Sequence, residues 1–299
     1  MADQAQSLSA AASTEEKGSA ARQSFHPRGT PVIQGLNRIG LWSLYMKEVR
    51  RFLKVQTQTI WAPAVTTLLF LVIFTVALSG SGARAGREVL GVPFASFVAP
   101  GLIVMGMMQN AFANSSFSFL SGKIQGTIID LLMPPLSNGE LMAGIIGAAI
   151  TRAIAVGLAV ALAMLLFPGV SLHMAHPWAV AWFGLMGAMM LATLGLITSI
   201  WAEKFDHAAA VTNFVVAPLS LLSGTFYVID NLAPAFQAVS RGNPFFYVIS
   251  GFRFGFLGRS DIGDTNMAVF HGALGLGVFN ALLALAAYLL LKSGWKLKS

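Results

Sequence analysis

Long apolar blocks, each about the length of a membrane crossing, recur along this chain and limit what it can fold into. A hydrocarbon core of about 30 Å requires about 20 consecutive apolar residues in a helix. The pattern predicts six transmembrane helices, at about 60–79, 94–114, 140–167, 178–201, 208–229 and 268–291. Because backbone polar groups inside lipid must be satisfied within helices or closed barrels, we expect an all-α polytopic membrane protein.

The composition supports a membrane protein over a soluble domain. Hydrophobic residues make up 56% of the chain and charged residues only 10%, whereas soluble domains carry about 25% charged residues. The chain has no cysteine, which excludes disulfides, thiolate metal sites and a cysteine nucleophile. The five histidines are dispersed and form no pair at metal-ligand spacing, so we expect neither a metal nor another cofactor.

Two different segments precede the first predicted span. Residues 1–36 are rich in Ala, Gln, Ser and Gly and are predicted to form a disordered cytoplasmic tail. Residues 37–56 alternate apolar and basic side chains at helical spacing, which predicts an amphipathic helix lying on the membrane interface. The alternative is a helix packed on a soluble partner. The remaining residues, 60–299, are predicted to form the six-span transmembrane domain.

Positive charge predicts the orientation of the spans. Eight Lys and Arg residues precede the first span and three more follow the last one. Since Lys and Arg accumulate on the cytoplasmic side, an even number of spans places both termini in the cytoplasm. We therefore expect a multi-pass protein of the bacterial inner membrane, in which the connection between the second and third spans is cytoplasmic.

That connection contains QGTIIDLLMPPLSNGELMAG, from Gln125 to Gly144, which is unusually structured for a loop. A helix-like run ends at Pro134 and Pro135, because proline disfavours helix at the residue before it. Ser137 could then cap the following helix. Local physics leaves two alternatives open, a surface for a soluble partner or a merely structural loop.

Four features in this order resemble the ATP-binding cassette type-2 permeases, the membrane subunits of many bacterial exporters. They are a "GT…LL…PLS…E" connection, a Pro-Gly opening of the second span at Pro100, an "SG…F…L…NP…Y…R" signature after the fifth span, and the predicted architecture. The matching residues are Gly126, Thr127, Leu131, Leu132, Pro135, Leu136, Ser137, Glu140, Ser223, Gly224, Phe226, Leu232, Asn243, Pro244, Tyr247 and Arg253. The chain departs from the family pattern at Ile129, where an acid is usual, and at Val228, where a proline is usual.

The resemblance implies a transport subunit that works as a dimer with two copies of a separate ABC ATPase. The chain has no GxxxxGK[ST] loop, so a partner would hydrolyse the ATP and this chain would not be an enzyme. A cytoplasmic coupling helix over 116–133 would dock on the ATPase, and short re-entrant helices would lie within 230–260. The expected coupling residues are Lys123, Ile124, Gln125, Gly126, Thr127, Ile128, Asp130 and Leu131.

The residues that line a translocation path are harder to infer from sequence. Arg152 lies near the middle of the third predicted span, where a charge is unfavourable and usually functional. It could contact an anionic group of the cargo, or it could extend to the cytoplasmic interface or pair with an acid such as Glu203 or Asp206. Further candidates are polar or soft side chains within the spans, namely Met107, Asn110 and Asn213.

Two other functional classes compete with an ATP-driven permease. A stand-alone secondary transporter or channel would normally require several acids within the spans, and almost none are present. A membrane-embedded enzyme would require clustered His, Asp or Glu at a span end, and His173 and His176 have no carboxylate nearby in sequence. The sequence does not identify the cargo, and we expect the dimer to be a homodimer in preference to a heterodimer.

Overall fold

The fold is described from a computed structural model of the chain. It covers residues 35–79, 88–89, 91–167, 170–259, 261–262 and 266–297. The predicted disordered tail over 1–36 lies almost entirely outside the described residues, and so does most of the chain between the first and second predicted spans, over 80–93.

Helices form nearly all of the described chain, and one small hairpin pairs β1 (Glu88–Val89) with β2 (Val92–Pro93). Among the described residues, five helices are long and apolar enough to cross a membrane. The helices in chain order are α1 (Arg38–Leu53), a π-helical turn (Thr57–Trp61), α2 (Ala62–Ser79), α3 (Phe94–Ile124), α4 (Ile128–Leu132), α5 (Asn138–Leu165), α6 (Pro177–Trp201), α7 (Phe205–Val211), a second π-helical turn (Thr212–Val216), α8 (Ala217–Leu221), a 3-10 turn (Ile229–Asn231), α9 (Pro234–Arg241), α10 (Pro244–Leu257) and α11 (Asn266–Ser293). The chain is an all-α polytopic membrane protein.

Two predicted spans differ from the observed helices. The second was predicted to end at residue 114, but α3 continues to Ile124, because Ser, Lys and Phe side chains in its last turns do not interrupt a helix. The fifth was predicted over 208–229, but the helical run from α7 through α8 ends at Leu221. A turn follows in which Gly224 adopts a φ of +74°, a left-handed conformation that terminates a helix.

Contacts between distant segments define two ends of the bundle. At the end that we call the inner end, Asn37 bonds to Pro135, Lys123 bonds to Ala202, and Lys296 pairs with Glu203. At the opposite end, the outer end, Arg253 bonds to Phe97 and Gly224.

These contacts establish the path of the chain between α6 and α11. Lys296, just after α11, meets Glu203, just after α6, so both helices finish at the inner end. The intervening chain must therefore reach the outer end and return through α11. The run from α7 through α8 makes the outward crossing with helical pieces of 7, 5 and 5 residues, which is about 25 Å of helix.

Helix α1 packs one face on α5 and leaves the other exposed. A Cβ at Gly144 would come within 2.8 Å of Leu44, so the missing side chain allows a close approach of the two helices. The Tyr45 hydroxyl also lies 2.8 Å from the Thr151 hydroxyl. On the opposite face of α1, away from α5, Ile39 and Trp42 are 83% and 62% exposed. This exposed apolar face beside basic residues is what an interfacial helix requires.

The centre of the bundle is the crossing of α3 and α6. A Cβ at Gly195 would come within 2.5 Å of the Phe112 carbonyl oxygen, so only glycine fits at that point. Close backbone approach at small residues is typical of helix packing in membranes, where dispersion forces replace the hydrophobic effect. Helix α3 is therefore held rigidly, and its inner end carries the connection described next.

Candidate coupling surface and translocation path

The inner connection between α3 and α5 is a turn, a short helix and a capped helix start, and it is not the single helix expected over 116–133. Residues up to Ile124 belong to α3, and α4 begins at Ile128. Gly126 has a φ of +70°, which breaks the helix between them. The Thr127 amide then donates to the Gly122 carbonyl at 2.8 Å and turns the chain back across the end of α3.

The start of α5 is held by a capping box that also holds α1. The Ser137 hydroxyl accepts from the Glu140 amide at 3.2 Å, and the Glu140 carboxylate accepts from the Ser137 amide at 2.7 Å. The second Glu140 oxygen accepts a hydrogen bond from the Asn37 amide, at the N-terminus of α1. Since Glu140 is 94% buried, the motif residues Ser137 and Glu140 fix the connection relative to α1.

Helix α4 divides the expected coupling residues between two faces. Ile128 and Leu131, expected on the docking face, are buried at 9% and 7% exposure in the protein's own core. The apolar side chains that remain exposed are Ile129, Leu132 and Met133, at 60%, 39% and 76%. Ile124, Gln125, Gly126, Thr127 and Asp130 are also exposed. We call the exposed residues from Ile124 to Met133 the α4 surface.

Lys123 points away from the α4 surface. Its ammonium donates to the carbonyl oxygens of Ile200 and Ala202, the latter at 3.3 Å. These carbonyls end α6, where a cation is favoured by the helix dipole. Lys123 therefore joins the connection to α6 instead of facing a partner.

The C-terminal segment closes the inner end from the other side. Lys296 donates to Glu203 at 2.8 Å, and Leu297 is 93% buried. The hydrogen bond and charge of Lys296 lower the pKa of the Glu203 carboxyl. The segment after α11 is thus tied to the short connection between α6 and α7, although both partners of the ion pair are exposed.

Of the four candidate path residues, the structure brings two together. The Arg152 guanidinium donates to the Asn110 side-chain oxygen at 2.9 Å, across α5 and α3. Within the described ranges Arg152 forms no ion pair, and its Nε is buried without a hydrogen-bond partner. The expected alternative of pairing with Glu203 is not observed, since Glu203 pairs with Lys296.

The other two path candidates lie elsewhere. Met107 is buried between helices, where a Cβ added at Gly157 would come within 2.7 Å of it. Asn213 is exposed on the π-helical turn between α7 and α8.

A half-buried ion pair that sequence reasoning missed lies near Arg152. Glu48, 98% buried on α1, pairs with Arg51 at 2.8 Å. Arg51 also donates to the Asn114 carbonyl oxygen at 2.8 Å, one turn along α3 from Asn110. An acid three residues before an arginine on an amphipathic helix was the available sequence signal.

The outer end is organised by Arg253, which the signature included without a role. Its side chain is fully buried and donates to the carbonyl oxygens of Phe97, Gly224 and Thr225 at 3.2, 2.8 and 3.2 Å. The guanidinium lies 3.9 Å from the centre of the Phe97 ring and 3.5 Å from the carboxylate of Asp261. Burial raises the pKa of the Asp261 carboxyl, and Arg253 opposes that rise.

Asn243 and Ser223, two further signature residues, meet at the same end. The Asn243 amide donates to the Ser223 hydroxyl at 3.0 Å and to the Leu219 carbonyl at 2.8 Å, and its oxygen caps α10 through the Phe245 amide. The signature thus joins the end of α8 to the start of α10.

Comparison with known proteins places these features in a family. A family model described as ABC-2 type transporter matches residues 40–257. The chain is 36% identical to the inner membrane transport permease YadH of Escherichia coli (strain K12) over 225 residues, which cover 75% of this chain and 85% of that protein. It is 27% identical to nodulation protein J of Rhizobium leguminosarum bv. viciae over 230 residues, covering 75% and 84%.

Proposed function

The chain belongs to the ABC-2 type transporter family, and on that premise we propose that it is the permease of an ATP-driven exporter. It is a transport permease subunit and a multi-pass inner membrane protein. The proposal adds that a separate ABC ATPase, in two copies, supplies the energy, and that the inner end faces the cytoplasm together with both termini.

The observation that carries the proposal is the α4 surface. It presents exposed apolar side chains and Asp130 at the inner end, while the residues beneath it are fixed to the bundle. An exposed apolar group of this kind on a rigid support is typical of a protein interface. We propose that it is the docking surface for the ATPase, with Ile129, Leu132 and Met133 replacing the buried Ile128 and Leu131 as the apolar contacts.

Force on the α4 surface has two routes into the bundle. A Cβ at Gly122 would lie 3.3 Å from the Ile128 backbone, so α4 rests directly on the end of α3. Lys123 connects the same point to the last carbonyls of α6. When the ATPases close on ATP, we propose that α4 moves α3 and α6 together, the two helices that form the centre of the bundle.

A second copy of this chain would complete the transport path. The first candidate span, Thr57–Thr75, buries a much smaller share of its residues than α3, α5 or α6. In the proposed homodimer this span faces the partner, and the path runs between the two chains.

The alternative is a transporter or channel that works alone. Glu140 is the single acidic residue within the five candidate spans, and it is engaged in the capping box. A carboxylate for proton or ion coupling is therefore lacking in these spans, which favours an external energy source.

Purification from native membranes tests the proposal. We expect a subunit with a Walker motif to accompany the chain, and Ile129→Asp to reduce its recovery at least tenfold by placing a charge in an apolar contact. Val239→Asp is the matched control, because Val239 is similarly exposed, at 56%, but lies on α9 near the outer end. A chain that purifies without an ATPase would overturn the proposal in favour of the stand-alone transporter. If the ATPase were recovered equally with both variants, the α4 surface would not be its docking surface.

A further inference from the structure

A groove of about 340 Å³ lies between the first span and α3. It lies beside the Arg152–Asn110 contact, because Asn110 is one of its lining residues. The lining residues on the first span are Gln58, Ala62, Pro63, Thr66, Thr67 and Phe70, and those on α3 are Leu102, Met105, Gly106, Gln109 and Asn110.

The polarity of this groove changes along its length. The first span starts at the inner end and α3 finishes there, so Gln58, Gln109 and Asn110 lie at the inner end of the groove. Phe70 and Leu102 lie at the other end, toward the middle of the bundle. The three amide side chains thus lie at the inner end of the groove, the hydroxyls of Thr66 and Thr67 in its middle, and large apolar side chains at the other end.

The inner end of the groove also has a positive charge behind it. Arg152 is one hydrogen bond from the groove, through Asn110 at 2.9 Å. The neighbouring pair of Arg51 and Glu48 is neutral as a whole, so among the described residues the positive charge of Arg152 is not balanced by an ion pair. A guanidinium has five donors, and the buried Nε of the partly buried Arg152 has no hydrogen-bond partner. An anionic oxygen at this end of the groove would therefore meet a nearby opposite charge and an unused donor.

We propose that the groove receives an amphiphile with a single anionic oxyanion head and one alkyl tail, entering from the inner leaflet. The head lies against Gln109 and Asn110 and takes over the hydrogen bond that Arg152 otherwise donates to Asn110, and the tail extends toward Phe70 and Leu102. This orientation matches that of a lipid-like molecule in the inner leaflet, whose head is at the interface and whose tail reaches the bilayer centre. The inference rests on the proposed function in one respect, since it takes this amphiphile class as the exporter's substrate.

Photolabelling tests the site directly. The purified chain, with any ATPase that accompanies it, is placed in phosphatidylcholine nanodiscs with hexadecyl phosphate that carries a diazirine in its tail. We expect labelled peptides from 58–70 and 102–110. Arg152→Gln should reduce the label at least tenfold, because a hydrogen bond between charged groups is worth more than about a factor of ten in binding. Arg152→Lys should retain part of it.

Controls distinguish the contributions of the probe's head group and of its tail from loss of the protein's fold. Arg241→Gln removes an exposed arginine at the outer end and should leave the label unchanged. Gly106→Leu fills the groove without touching the charge and should also abolish the label. A hexadecyl trimethylammonium probe should label the groove at least tenfold less than the phosphate probe. Each variant is first shown to elute as the unmodified chain does, so that loss of fold is recognised.

The remaining outcomes overturn either the inference or the exporter proposal on which it rests. Three results would each contradict an anionic amphiphile as the ligand: label outside the groove, equal label from the cationic probe, or unchanged label in Arg152→Gln. Complete competition by millimolar inorganic phosphate would reduce the site to an anion site. If the groove is labelled but no ATPase accompanies the chain, the site stands and the exporter proposal fails. If the ATPase is present and the groove is unlabelled, the exporter proposal stands and the inferred site fails.

Discussion

The two ends of the bundle are held together by different kinds of contact. At the outer end, one fully buried guanidinium satisfies three carbonyl groups and pairs with a buried carboxylate. At the inner end, the contacts are divided among separate groups: the buried Glu140 carboxylate joins α1 to α5, and the exposed pair of Lys296 and Glu203 joins the C-terminal segment to the connection after α6. The inner end also presents the exposed apolar side chains of the α4 surface, at the connection between α3 and α5.

This difference teaches what each end can do. A buried charged centre resists opening, because removing any partner leaves a charge or a carbonyl unsatisfied in a low-dielectric environment. Exposed ion pairs contribute little and can exchange with water. The outer end is thus built to stay closed, while the inner end can be moved by a partner through α4 and Lys123.

The largest effect should come from Arg253. Arg253→Met leaves Asp261 and three carbonyl groups without their partner, so we expect a loss of about 3–5 kcal/mol in the free energy of unfolding. The measurement is tryptophan fluorescence during titration with denaturing detergent. Arg241→Met, which removes an exposed pair at the same end, should change the unfolding midpoint little. Similar shifts for both variants would contradict the contrast between buried and exposed contacts.

An intermediate effect is expected at the capping box. Ser137→Ala removes the acceptor for the Glu140 amide, and loss of such a cap typically lowers stability by about 1 kcal/mol. Because the same box holds Asn37, proteolysis near the start of α1 should become faster. Ser137→Thr is the control, since it keeps the hydroxyl. Unchanged proteolysis in Ser137→Ala would show that α1 is held by its packing on α5 alone.

The smallest effect should come from the pair of Glu203 and Lys296. Because Lys296 lowers the pKa of Glu203, the pair stabilises the fold above the unfolded-state pKa of the carboxyl and is lost as the pH falls through the lowered value. Thermal unfolding of the unmodified chain and of Glu203→Gln should therefore converge in acid, and also in high salt at neutral pH. A difference that persists in acid would assign it to packing of the C-terminal segment.

Much of the fold was predictable, because the length and polarity of a segment decide whether it crosses a bilayer. The first, third, fourth and sixth predicted spans agree with the observed helices within a few residues. The two short helices expected before the last span are present as α9 and α10. Pro134 and Ser137 correctly marked a helix end and a helix start around the inner connection.

The sites were less predictable, because they depend on which side of a helix meets the rest of the molecule. The five residues of α4 are too few to show a periodic apolar face, so Ile128 and Ile129 look equivalent in sequence. The role of Lys123 depends on Ile200 and Ala202, which are more than 70 residues away. The Arg152–Asn110 contact depends on the register of α5 against α3.

The sequence by itself determined the class of protein, the approximate spans and the motifs that place the chain in its family. These follow from local free energies, the transfer of apolar side chains into lipid and the conformational preferences of proline and glycine. Only the tertiary structure decided that Arg253 closes the outer end, that Lys123 serves α6 and that Ile129 instead of Ile128 is exposed. Buried charges acquire partners wherever packing brings a carbonyl or carboxylate within reach, and that proximity is not written in any local segment.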